Sequence, residues 1–85
     1  MNYFEDLSKG SPAHTATRLA EGRFKIEPVD DSDESLIEFQ EVVEEALFHF
    51  GEDGHEVKPH KSTRRSLPDW GTRPVYDAAF IQRVM

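Results

Sequence analysis

From Ile26 to Val57 the chain contains no Lys or Arg, yet it carries twelve carboxylates. A helix within that stretch has no basic side chains of its own to relieve carboxylate repulsion at i,i+3 and i,i+4. Residues 35–50 offer one way to fold under that constraint. Leu36, Phe39, Val43, Ala46, Leu47 and Phe50 form a continuous apolar stripe at helical spacing, widened by Ile37, Val42 and Phe48. Glu38, Glu41 and Glu45 line the opposite side. Burial of the stripe has to hold this helix, so the rest of the chain must supply a surface that receives it. Asp31 and Ser35 suit the N-cap position, with Glu34 and Glu38 three residues on as capping-box partners. Gly51 stands where a helix stop belongs.

The flanks have the other polarity. Residues 1–26 carry a net +1 and residues 57–85 a net +4, against −7 for the whole chain of 85 residues. A chain of this length makes one domain at most. Only 36% of it is hydrophobic and 32% is charged, which limits the core, although six Phe, two Tyr and one Trp are a large aromatic payload. A protein partner or self-association is therefore expected to contribute to burial.

Cysteine is absent, so disulfides, thiolate metal sites and cysteine nucleophiles are excluded. No apolar segment follows Met1, and Glu5 and Asp6 arrive early, so no signal peptide is expected. No apolar run is long enough to span a membrane. The chain reads as cytoplasmic.

Local signals complete the expected architecture. Tyr3, Phe4 and Leu7 share one side of a short N-terminal turn or helix that must dock somewhere. Residues 11–22 read as a helix with Ser11 as N-cap, Pro12 in the first turn and Gly22 at the C-terminal stop. Residues 23–29 alternate like a half-buried strand that Pro28 ends, and residues 55–59 form a second candidate strand, paired with the first around the helix. Residues 60–74 are rich in turn formers, and residues 75–85 place Tyr76, Ala79, Phe80 and Val84 on one helical side, with Ile81 off that stripe. The expected fold is a small single domain, mainly α, with at most two short strands, a central helix 35–50 and an extended C-terminal arm. Residues 1–59 make the helical part with its acidic middle. Residues 60–85 make a basic, aromatic arm ending in a short helix.

Motifs for chemistry are sparse. His49, His55 and His60 stand among Glu52, Asp53 and Glu56, but their spacing crosses a turn and matches no established metal site. Neither a metal nor another cofactor is expected. No nucleotide-binding glycine motif or nucleophile elbow is present, and the sequence is read as non-enzymatic. The acidic middle has three readings: a solvated helix face, a docking surface for a basic partner, or a nucleic-acid mimic that blocks a basic surface on a partner enzyme.

The arm supplies the other candidate surface. Arg64, Arg65, Leu67, Trp70 and Tyr76 combine the residue types that anchor protein interfaces. Arg64 and Arg65 are also placed to pair with the chain's own acidic helix or with that of another copy. The net charge argues against direct nucleic-acid binding. The functional expectation is an accessory or structural subunit, of the kind viruses and large assemblies encode, that docks on a larger assembly or self-associates. Its partner-binding residues are Glu38, Glu41, Glu45, Arg64, Arg65, Leu67, Trp70 and Tyr76. The acidic inhibitor is the alternative.

Overall fold

The computed structural model describes residues 3–84, the side chain of Asp53 excepted. Met1, Asn2 and Met85, which belonged to the expected terminal elements, lie outside the described residues. The chain runs α1 (Tyr3–Leu7), β1 (Thr15–Ala20), β2 (Arg23–Glu27), α2 (Asp33–Phe48), β3 (His55–Lys61) and β4 (Tyr76–Arg83). The strands form one antiparallel sheet in the order β1-β2-β4-β3.

This corrects the mainly α expectation. Four strands are present instead of two at most, and α2 is the only long helix among the described residues. Residues 11–22 are not a helix. Ser11 Oγ accepts from the Ala13 amide and bonds the His14 ring, which makes a local turn rather than a cap. The chain then enters the β1–β2 hairpin through Glu21 and Gly22, where Gly22 has φ +72°. A left-handed glycine serves a helix stop and a hairpin turn equally well. The Thr-rich run TATRLA, with little apolar area to bury on a helix, favours the strand.

The C-terminal arm is corrected in the same way. Residues 76–83 form β4, which lies between β2 and β3 and pairs with both. The two expected strands, 23–29 and 55–59, do exist as β2 and β3, but β4 separates them. Ile81, the misfit on the helical stripe, is fully buried between Phe24 and Val57. A period of two places Ala79 and Ile81 on one face and Ala78, Phe80 and Gln82 on the other.

The central helix is present at 33–48. Its N-cap is Ser32, neither Asp31 nor Ser35: Ser32 Oγ accepts from the Ser35 amide at 3.1 Å. Asp30 accepts from both the hydroxyl and the amide of Ser32, and these bonds, with a smaller contribution from Ser35, hold its carboxylate below the usual range. Leu36, Phe39, Val43 and Ala46 are buried as expected. The helix ends at Phe48, and Gly51 follows at φ +85°, so Phe50 leaves the stripe and is 58% exposed.

The main core lies between the sheet and the helices. Phe24, Ile26, Ala79, Ile81 and Val57 face Phe39, Val43 and Ala46 of α2 and Phe4 and Leu7 of α1. Docking of Phe4 and Leu7 gives the five-residue α1 the support it lacks alone. A smaller cluster of Leu36, Leu67 and Val75, with Trp70 packed against it, sits under residues 62–75.

Candidate functional site

Residues 62–75 connect β3 to β4 and fold back along α2 as a strap. Arg65 donates to Asp33 at 2.9 Å, Leu67 is buried against Leu36, and Arg73 donates to Glu44 at 2.9 Å. The Arg73 guanidinium also stands 4.1 Å over the Trp70 ring. Pro68 and Asp69 turn the strap: the Trp70 amide donates to the Leu67 carbonyl, with Asp69 at φ +67°. Of the arm residues singled out in the sequence, Arg65, Leu67 and Trp70 are thus brought together by contacts within the chain. Arg64 stays exposed, its amide bonded to Ser62 Oγ.

Tyr76 enters the sheet through a residue that sequence reasoning missed. Gln40 is almost fully buried on α2, and its side-chain amide bonds the main chain of Tyr76 twice. Gln40 Oε1 accepts from the Tyr76 amide at 2.7 Å, and Gln40 Nε2 donates to the Tyr76 carbonyl at 2.7 Å. Nε2 also donates to Leu36 O at 3.0 Å. One side chain therefore completes the hydrogen bonding of β4 where it meets the helix. The available signal was a lone uncharged polar residue among the apolar positions of the stripe.

The opposite side of α2 is solvent. Asp33 and Glu44 are held by the strap, but Glu34, Glu38, Glu41 and Glu45 are exposed and form no ion pair among the described residues. Their spacing puts them in one row, about 4.5–6 Å apart along the axis. Phe48 follows the row at its C-terminal end, within about 20° of Glu41 and about 40° of Glu34 around the axis, and it is 85% exposed. Phe50 and Val84 are exposed at the same end, where the Val84 amide donates to Gly54 O after the turn that follows Phe50. Phe48, read in the sequence as widening the buried stripe, instead terminates an acidic row. The helical phase of Phe48 relative to Glu34 and Glu41 was the signal for it.

The three histidines do not converge. His49 pairs with Glu52 and stacks on Tyr3, with ring centroids 4.0 Å apart. His55 stacks on Phe4 at 4.5 Å, and His60 bonds Asp77 at 2.7 Å. Among the described residues no group of three or more His, Asp or Glu is placed to hold a metal ion. Burial, then the charges of Glu45 and Glu52, raise the Tyr3 phenol to about 12. His14 is also buried, with Nε2 on Leu7 O and Nδ1 on Ser11 Oγ, both at 2.8 Å, which ties the end of α1 to the start of β1.

The sheet face away from α2 carries Lys25, Phe80 and Lys58 side by side in one row. Each lysine bonds a carboxylate two residues away on its own strand, Glu27 or Glu56, at 3.3 Å. This face is thus locally neutralised. Among the described residues, no helix is long and apolar enough to cross a membrane.

Comparison with protein-family models, with curated proteins and with solved structures finds no match to this chain.

Proposed function

We propose that this chain is a non-enzymatic protein-binding subunit that docks through the solvent side of α2. The observation that carries the reading is the row Glu34, Glu38, Glu41 and Glu45 ending in Phe48. Burial of a Phe side chain stabilises by about 1.5–3 kcal/mol, and at 85% exposure Phe48 forgoes most of that gain in the isolated chain. The partner is a protein surface with basic residues for the row and an apolar socket for Phe48. Such an interface combines electrostatic steering with an aromatic anchor.

The nucleic-acid mimic is the weaker second reading. Duplex DNA presents about one charge per 1.7 Å of axis. The α2 row is several times sparser, and it ends in an aromatic group where a mimic would continue with charge.

Affinity capture from native extract, at low and high salt, tests the proposal with three baits: the native chain, Phe48→Ser, and Glu38→Gln/Glu41→Gln/Glu45→Gln. A protein with a basic surface that is kept by the native chain and lost by both variants supports it. Retention unchanged in both variants contradicts it. Retention of a nucleic-acid enzyme only at low salt, sensitive to the Gln substitutions and insensitive to Phe48→Ser, moves the inhibitor reading to first place.

A further inference from the structure

Four strands about 4.8 Å apart need more than one helix about 10 Å wide to cover a face. Here α2 packs against β4 and β3, and α1 is five residues long. The helix side of the β1–β2 hairpin end is therefore left open, as a cleft of about 870 Å³. That size lies in the range of small-molecule sites, about 300–1,000 Å³.

The lining is unlike the rest of this acidic chain. Phe4 and Phe24, both buried, and His55 back the cleft, and Arg18 and Arg83 supply charge. The sheet register explains the convergence. Arg18 stands opposite Phe24 and Arg83 opposite His55, and alternation points all four side chains toward the helix side. Arg65 and Arg73 are used by the strap, but Arg18, Arg23 and Arg83 form no ion pair among the described residues. His55 Nδ1 is buried and has no hydrogen-bond partner among the described residues. Glu5 and Glu21 also line the cleft, so the guanidinium groups of Arg18 and Arg83 share it with two carboxylates, while alternation turns the Arg23 side chain to the other face of the sheet.

We infer that this cleft binds a small organic acid bearing a phosphate or carboxylate group. Guanidinium groups grip such acids through paired hydrogen bonds. The site is separate from the docking row, so either proposal can fail without the other.

The test is amide NMR titration of the full chain with two charged probes, adenosine monophosphate and 2-naphthoate, each beside its uncharged counterpart, adenosine and 2-naphthamide. Saturable shifts are expected at Phe24, His55 and Arg83 with at least one charged probe, at least about tenfold tighter than with its counterpart. Arg18→Gln and Arg83→Gln should each weaken that binding by about tenfold with the remaining spectrum preserved. Arg18 lies exposed on an edge strand, so its variant keeps the test valid should Arg83→Gln fail to fold. Binding of the phosphate probe alone or the carboxylate probe alone identifies the acid. No saturable shift there with either charged probe at about 1 mM, equal binding of charged and uncharged probes, or binding indifferent to Arg18→Gln overturns the inference.

Discussion

The two sides of α2 are built for different ends. The inner side carries Leu36, Phe39, Gln40, Val43 and Ala46, all buried, and it receives the sheet through apolar packing and the two bonds of Gln40 to Tyr76. The outer side carries four exposed carboxylates, without ion pairs among the described residues, and an exposed Phe48. Outer-side repulsion costs a few tenths of a kcal/mol per pair, whereas each large inner side chain contributes several times more. The inner side can therefore sustain an outer side that adds nothing to folding.

The largest effect is expected from Phe39→Ala, which opens a cavity in the main core. It should cost about 3–5 kcal/mol in urea unfolding, enough to unfold a domain this small under ordinary conditions. Gln40→Ala removes both bonds to Tyr76 and leaves a main-chain donor and acceptor without their partner. A loss of about 2–3 kcal/mol is expected, with amide exchange accelerated first at the start of β4. Trp70→Ala loosens the strap but leaves the main core intact, and its cost should be about 1–2 kcal/mol, well below that of Phe39→Ala.

These effects follow from features that were unequally legible in the sequence. The inner stripe of α2 could be read because its period is helical and no other local structure buries Leu36, Phe39, Val43 and Ala46 together. The strand β2 could be read because Phe24 and Ile26 alternate with charges. β4 was obscured because both of its faces are largely apolar: Ala78 and Phe80 on one side and Ala79 and Ile81 on the other leave no clean alternation. Only Ile81, misplaced on a helical stripe, pointed to a strand. Ser11, Pro12 and Gly22 imitated helix punctuation because a turn uses the same hydroxyl bond and the same positive φ. At the candidate surface, the carboxylates of the outer row were legible from spacing. The fate of the arm was not, because Arg65 and Arg73 find Asp33 and Glu44 at sequence separations of 32 and 29. No local pattern encodes those contacts.

The electrostatic link between the two sides can be tested with alkali. Tyr3 titrates near 12 in the folded chain against an ordinary 10. Its contribution to stability is therefore complete below about pH 10 and declines as the pH rises from there through about 12. Tyr3→Phe should flatten that part of the stability profile. Glu45→Gln should lower the Tyr3 titration midpoint without restoring it to the ordinary value, because burial is the larger cause.

The smallest stability change is expected where the binding effect is largest. Urea unfolding of Glu38→Gln/Glu41→Gln/Glu45→Gln, beside the native chain, tests most directly whether the outer side of α2 is free of any folding role. The variant's midpoint is expected to be unchanged or slightly raised, through relief of repulsion worth about 0.2–0.5 kcal/mol per pair. A midpoint lowered as far as that of Gln40→Ala would contradict it, and would return these carboxylates to the structure of the isolated chain.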